Sequence, residues 1–195
     1  MTTLAEYKNC STADLRELDL QLISQINEMA PGALVDFSHL DVKIMSACHP
    51  YVQAPGIPAL EKAIKSRGET LIVNSAYRTI AQQFVLWNHC MNSRCNISAA
   101  AIPGKSNHNT ALSIDVDDYD SWKPYLEKNN WMWLGAFDPM HFDFKGTSTR
   151  DIRSLSIKAF QILWNLNNPT RSIKDDGIWG NQTKNALLQT PVNGF

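Results

Sequence analysis

The sequence predicts a domain of mixed helices and short strands over residues 1–145, followed by a small helical unit over residues 152–195. Three observations point to this. In the first part, apolar residues recur at three- and four-residue steps in some stretches and alternate in others, so helical and strand periods are both present. The short polar run Lys145-Gly146-Thr147-Ser148-Thr149 then interrupts the pattern. Beyond it the apolar stripes are helical only, in a segment too small to close a large core of its own, so it is expected to lean on the first domain.

With 195 residues and 44% apolar content, the chain is long enough to bury a core. Its 18 basic and 19 acidic residues are interspersed, with no basic run, so a nucleic-acid surface is not expected. No apolar run approaches the length of a membrane span, so no membrane is expected as a partner. The first residues, Met1 to Lys8, lack a basic stretch followed by an apolar one. Synthesis in the cytoplasm without a secretory leader is therefore expected, and any target outside needs another exit route. Cys10, Cys48, Cys90 and Cys95 form no CxxC pair, so a cysteine zinc knuckle is not expected. Cys90 and Cys95 are close enough in sequence to bridge, but free thiols are the expected state for a chain without a leader.

In order along the chain, Ser11 can cap a helix from about Thr12 to Met29, striped by Leu15, Leu18, Leu22, Ile26 and Met29 and ended by Pro31-Gly32. Ala33 to Gly56 reads as short strands or extended loops. Ile57 to Arg67 reads as a helix with Pro58 in its first turn and Gly68 past its end. Thr70 to Val73 is a short buried strand, and Ile80 to Met91 a helix with Thr79 as N-cap, expected to pack on a sheet. Ala111 to Val116 alternates: Leu112, Ile114 and Val116 share one face, while Ser113 and Asp115 point toward a cleft. A short helix near Tyr119 to Lys128 precedes two further strands, Trp131 to Leu134 and Met140 to Phe144. In the second of these His141 and Asp143 share a face. In the helical unit, Ser156 to Trp164 forms one helix. After a turn-rich loop through Asp175-Asp176-Gly177-Ile178-Trp179-Gly180, a last helix ends near Gln189.

The chemistry concentrates between Ser106 and Asp143. His108, Asp115 seven residues later, and His141 form a donor set suited to zinc, with one position open as in a catalytic site. Two imidazoles and one carboxylate suit zinc better than magnesium or calcium, which take mostly oxygen. Zinc lowers the pKa of a bound water to around 7 and polarises a carbonyl, and a spare carboxylate can then move the proton. Asp138 is the candidate, provided the chain bends between Asp138 and His141. Asp143 either holds the far nitrogen of His141 or is a solvated strand residue. Arg78 either clamps a substrate carboxylate or oxyanion or is a helix-start arginine at the surface.

Taken together, Ser75-Ala76-Tyr77-Arg78-Thr79 with Gln82 or Gln83, Pro103-Gly104-x-Ser106-x-His108-x6-Asp115, Trp133 and Asp138-x2-His141-x-Asp143 resemble the zinc D-Ala-D-Ala carboxypeptidase and L-alanyl-D-glutamate endopeptidase family, the M15 group. The resemblance covers about residues 70 to 144. It implies an α+β fold shared with the hedgehog signalling domain, in which an antiparallel sheet carries the metal. It also implies that His108, Asp115 and His141 are zinc ligands, that Asp138 is the catalytic base, and that Arg78, Ser106, Tyr77 and Trp133 lie at the substrate. The family usually has Gly where Ala111 stands and Ala where Ser113 stands. An Asp rather than a Glu at 138 looks more like the endopeptidases, phage endolysins included. Ile157-Lys158-Ala159-Phe160-Gln161 with Asp176-Gly177-Ile178-Trp179-Gly180 resembles the peptidoglycan-binding domain family. There Trp179 either stacks on a sugar or plugs the small core. The expected activity is hydrolysis of an amide in the peptide part of bacterial peptidoglycan, foremost at L-Ala-D-Glu in the manner of an endolysin. The alternatives are a D-alanyl-D-alanine carboxypeptidase, a catalytically idle wall-binding module, and a zinc-stabilised interaction domain.

Overall fold

The computed structural model describes residues 1–195. Its elements follow the two periodicities. Ser11 Oγ accepts from Ala13 N at 3.2 Å, starting a 3-10 turn, Ala13–Leu15, that runs into α1, Arg16–Met29. Leu18, Leu22, Ile23 and Ile26 give α1 its buried stripe. Two short strands, β1 (Val35–Asp36) and β3 (Tyr51–Val52), pair antiparallel on either side of β2 (Val42–Ile44) in sequence. Helix α2, Gly56–Arg67, ends at Gly68, whose φ of 74° is the left-handed conformation a helix stop needs. Strand β4 (Leu71–Ser75) leads through Thr79 into α3, Ile80–Met91, where the Thr79 side chain accepts from Gln82 N.

The remaining elements are β5 (Ser113–Val116), α4 (Tyr119–Glu127), β6 (Trp131–Trp133), β7 (His141–Phe144), α5 (Arg153–Asn167) and α6 (Asn181–Gln189). The main sheet has five strands in the order β2-β4-β5-β7-β6. The expected antiparallel sheet carries one parallel edge, β2 on β4. The chain between them crosses over through β3 and α2 and returns in the same direction, which makes a parallel pair.

One face of this sheet is apolar. Val73, Ile114, Val116, Phe142 and Phe144 pack with Leu60 and Ile64 of α2 and Trp122 and Leu126 of α4. The opposite face carries Ser113, Asp115, His141 and Asp143, because successive side chains in a strand alternate.

A second cluster is helical and joins both ends of the chain. It contains Leu15 of the 3-10 turn, Leu18 and Leu22 of α1, Ile80, Phe84 and Val85 of α3, Ile157, Phe160 and Trp164 of α5, and Ala186 and Leu187 of α6. Helix α3 therefore packs among helices, which corrects the expectation that it covers a sheet. The C-terminal helices share this cluster with α1 and α3. The first residues pair with the last, Leu4 N to Thr190 O at 2.9 Å and Val192 N to Thr2 O at 3.0 Å. Gln53 ties down the polar segment before α5, donating to Arg150 O at 2.7 Å and accepting from Arg150 N at 3.1 Å.

Cys10 and Cys95 form a disulfide, with Cα atoms 5.3 Å apart across 85 residues of sequence. This corrects both the expectation of a free thiol at Cys95 and the local Cys90–Cys95 alternative. The helical cluster brings the segment before α1 against the end of α3, where His89 Nε2 meets Asn9 O at 3.0 Å, and the two sulfurs meet there. Cys48, a free thiol, is buried, and burial pushes it up to about 12, so it offers no thiolate for nucleophilic chemistry. A disulfide closing so long a loop restricts the unfolded chain. Reduction, or Cys10→Ser, is expected to lower stability by about 2–4 kcal/mol. Urea midpoints with and without reductant read this, and identical midpoints would show that the two thiols are not bridged in solution.

Candidate metal centre and active-site cleft

The cross-strand register of β5 and β7 places Asp115 opposite His141 and Ser113 opposite Asp143. Directly opposed residues share a face at close range, so a carboxylate meets an imidazole at one pair and a hydroxyl at the other. His108 arrives from a 3-10 turn, Asn107–Thr110, whose N-cap is Ser106: Ser106 Oγ accepts from His108 N at 3.3 Å. The turn closes at Ala111, which has φ 57° and ψ 31°. This left-handed position suits glycine, and here the alanine holds it with its methyl fully buried.

The ligand-capable atoms of His108, Asp115 and His141 all lie within 4.8 Å of one another. Their protonation is set from outside. His108 Nδ1 lies 2.8 Å from Ala76 O, a carbonyl that can only accept, so Nδ1 carries the proton and Nε2 presents its lone pair. His141 Nε2 lies 2.9 Å from Asp143 Oδ1 and donates to it, leaving the Nδ1 lone pair on the other side. His108 Nε2 and His141 Nδ1 are 3.1 Å apart, and Asp115 Oδ1 is 3.3 Å and 3.0 Å from them. Three acceptors thus converge, and a positive charge must sit among them, either a proton or a metal cation. The donor set fits zinc, and Asp143 stands where it orients and strengthens a histidine donor.

The electrostatics agree. Burial, aided by the Arg78 charge, lowers the His108 pKa and keeps that ring neutral. Burial also acts to lower His141, but its hydrogen bonds to Asp115 and Asp143 outweigh this and raise it to about 9. Burial opposes ionisation of Asp143, yet its bonds from His141, Ser113 and Lys145 hold it well below the usual carboxylate range.

The site opens into a cleft of about 430 Å³, lined by Arg78, Ser106, Asp138 and the three converging residues, with Leu86, Ile97 and Leu134 as apolar wall. Arg78 donates to Gln83 Oε1 at 3.1 Å and Ser75 Oγ at 3.2 Å, and its Nη2 is 3.8 Å from Asp115 Oδ2. Its backbone is clamped by Arg78 N to His108 O at 3.1 Å and Asn109 Nδ2 to Arg78 O at 2.7 Å. Asp138 lies in the β6–β7 loop, half-exposed, with Oδ2 3.9 Å from His141 Nδ1. The bend that this approach demands is a turn, His141 N to Asp138 O at 3.1 Å. Trp133 Nε1 holds the same loop by donating to Pro139 O at 2.8 Å.

Two expected substrate contacts lie elsewhere. Tyr77 is 1% exposed and its hydroxyl pairs with Ser156 Oγ at 2.8 Å, so it packs the joint with α5 and does not line the cleft. The Trp133 ring stacks on Tyr119 beneath Lys123, and its indole N–H is spent on Pro139, so it supports the loop from outside the cleft. Trp179 is half-buried against Phe84 and Trp87. Asn107 carries no signal in the sequence, and Ser75, Gln83 and Ser113 enter there only as motif or strand positions without a role. Asn107 and Ser113 both donate to Asp143, Ser113 Oγ at 2.7 Å. The signal at Ser113 is that it shares the strand face of Asp115. The choice between Gln82 and Gln83 is made by the helix: Gln82 turns inward to Thr12 and Ala47, and Gln83 holds Arg78.

Because a proton and a cation compete for one place, metal loading at pH 7 is expected to release about one proton from His141. A raised folded-state pKa stabilises the metal-free protein below the unfolded value near 6.5 and loses that contribution as pH rises through about 9. The thermal stabilisation by zinc should therefore grow from pH 6.5 to 9. A zinc-induced shift that stays flat over this range would show that His141 binds no proton there.

The family described as VanY: D-alanyl-D-alanine carboxypeptidase matches residues 51–147, the span that holds every residue of the cleft chemistry. No curated protein matches the chain. Through those residues the chain belongs to the VanY D-alanyl-D-alanine carboxypeptidase family within the M15 group, peptidases that act on peptidoglycan.

Proposed function

We propose that this peptidase is zinc-dependent and cuts the peptidoglycan stem peptide internally, between L-Ala and D-Glu, as a lysis enzyme of the endolysin type. The observation that carries the zinc reading is the convergence of three lone pairs, from His108, Asp115 and His141, at the floor of a cleft that also presents Arg78 and Asp138. When bound there, zinc supplies an acidified water and a polarised carbonyl. The chain's own residues do the rest. Asp138 takes the proton of the attacking water and returns it to the leaving amine. Arg78 carries the negative charge that develops on the carbonyl oxygen or holds a neighbouring carboxylate. Asp143 fixes the His141 ring, and Ser106 holds the His108 turn at the substrate's edge. The C-terminal unit, residues 152–195, is read as a wall-binding element, and the enzyme as acting on the wall after release from the cytoplasm.

A second reading, removal of the terminal D-Ala, is favoured by the family description itself. Mass spectrometry of fragments released from purified peptidoglycan by the zinc-loaded protein separates the two. Fragments ending in L-Ala with partners beginning at D-Glu are expected. Loss of single D-Ala residues would make it a carboxypeptidase, and no release from walls of several chemotypes would leave an idle binding module.

Asp138 is half-exposed and is not one of the three converging residues. Asp138→Ala is therefore expected to keep one zinc per chain and its melting temperature while turnover falls by about a hundredfold or more. Metal analysis beside a turnover assay reads both, and near-normal turnover would remove Asp138 from the role of base.

A further inference from the structure

A second cavity, of about 560 Å³, adjoins the catalytic cleft, and Lys105 lines both. It lies in the seam between the loop before the His108 turn and the C-terminal unit, with Ile102 and Gly104 from the former and Ile178 and Trp179 from the latter. The seam is built tightly. Gly104 has φ 79°, and a Cβ there would come within 2.5 Å of Ile157 Cδ1. Gly177 has φ 72°, and a Cβ there would meet Ser154 O at 2.7 Å. Both loops thus close onto the first turns of α5 as only glycine allows, and both are pinned, Gly104 N to Asn109 Oδ1 at 3.1 Å and Gly177 N to Gln161 Oε1 at 2.8 Å. The groove is fixed before any ligand arrives.

Its surface is of two kinds. Ile102 and Ile178 are 47% and 64% exposed, one on each loop, and part of the Trp179 indole joins them. Beside them Arg153 Nε donates to Asp151 Oδ1 at 2.9 Å, and Lys105 stands at the junction with the cleft. Aliphatic and indole faces next to a charged hydrogen-bonding pair match a pyranose ring, with its C–H faces and its rim of hydroxyl and acetamide groups.

We propose that this groove holds the amino-sugar glycan of the same strand whose stem peptide lies in the cleft. The proposal rests on the reading of the chain as a peptidase that cuts between L-Ala and D-Glu. In peptidoglycan only one residue, roughly 3.5 Å of chain, separates that bond from the lactyl group of the sugar. The ring must then lie directly outside the cleft, where Lys105 leads into the groove. Recognition of the polymer is thereby shared between the two units of the chain.

The test uses the zinc-loaded full-length protein and two variants, Ile178→Asp and Arg153→Gln, neither of which lines the catalytic cleft. Calorimetric titration with tetra-N-acetylchitotetraose reads the groove alone. Kinetics on intact peptidoglycan and on a free, sugarless stem peptide read its coupling to catalysis. The variants are expected to bind the tetrasaccharide about tenfold more weakly and to raise KM for the polymer about tenfold, the scale of one lost apolar or hydrogen-bonded contact. Their kinetics on the free peptide should match the wild type. Wild-type affinity and wild-type KM in both variants would overturn the proposal, as would a wild-type protein that shows no tetrasaccharide binding. If the wild type cuts neither substrate, the peptidase reading fails, and the titration still decides the groove.

Discussion

The site depends on the register of one antiparallel pair, β5 against β7. Ile114, Val116, Phe142 and Phe144 turn one way into the core, and Ser113, Asp115, His141 and Asp143 turn the other way into the cleft. A slip of one residue would exchange the two sets. Each fully buried side chain of that size contributes about 1.5–3 kcal/mol by leaving water, so four of them hold the register far more firmly than any single polar contact. The core thus aligns Asp115 with His141 whether or not a metal is present, and the ligand geometry is a by-product of packing on the opposite face.

The second imidazole, His108, and the arginine need a different support. His108 sits on a one-turn helix and Arg78 on the bend between β4 and α3; Arg78 N donates to His108 O, and the Asn109 side chain donates to Arg78 O. The bend is braced from the N-terminal segment, outside the family match. Asp19 of α1 is fully buried, accepts from Thr79 Oγ1 at 2.5 Å, and faces His49 Nε2 at 2.8 Å. Burying a lone carboxylate costs several kcal/mol, so both partners are needed to keep Asp19 in an otherwise apolar stripe. The result is a polar anchor one residue from Arg78, built by a helix that touches no substrate.

What could be read from the sequence follows the range of the forces involved. The alternation that puts Asp115, His141 and Asp143 on one face is local, and the motif spacing carries it. So are the Thr79 cap and the Gly68 stop. The bend at Asp138 was demanded by geometry before it was seen, because His141 lies three residues on in a strand of period two. The misses at Tyr77 and Cys95 are long-range. Tyr77 sits in a motif beside Arg78, but its hydroxyl is claimed by Ser156 from a helix 79 residues further along. Cys95 has Cys90 nearby in sequence, yet bridges to Cys10 because α1 and α3 share a cluster. Trp133 is aromatic and near the site, and only the fold shows its N–H committed to Pro139. Ala111, where the family usually has glycine, also gains a reason that spacing does not carry: the chain turns there in the left-handed region.

The division between buried and exposed parts bears on the zinc site proposed for this cleft. His108, His141 and Asp143 are nearly inaccessible, and each has a second partner that fixes its orientation. Asp138 is the opposite, half-exposed on a loop whose next outward residue, Phe137, is 80% exposed. A site built only to staple a fold gains nothing from a solvated carboxylate 3.9 Å from one of its imidazoles, since a closed structural site fills its coordination with protein donors. A hydrolytic site needs that arrangement: donors that do not move when charge develops, and a base free to swing between an incoming water and a departing amine. Trp133 restrains this loop through one hydrogen bond to Pro139, beside Asp138 and not on it. It holds the loop without bonding to the Asp138 carboxylate, which suits the proton-carrying role proposed for that residue.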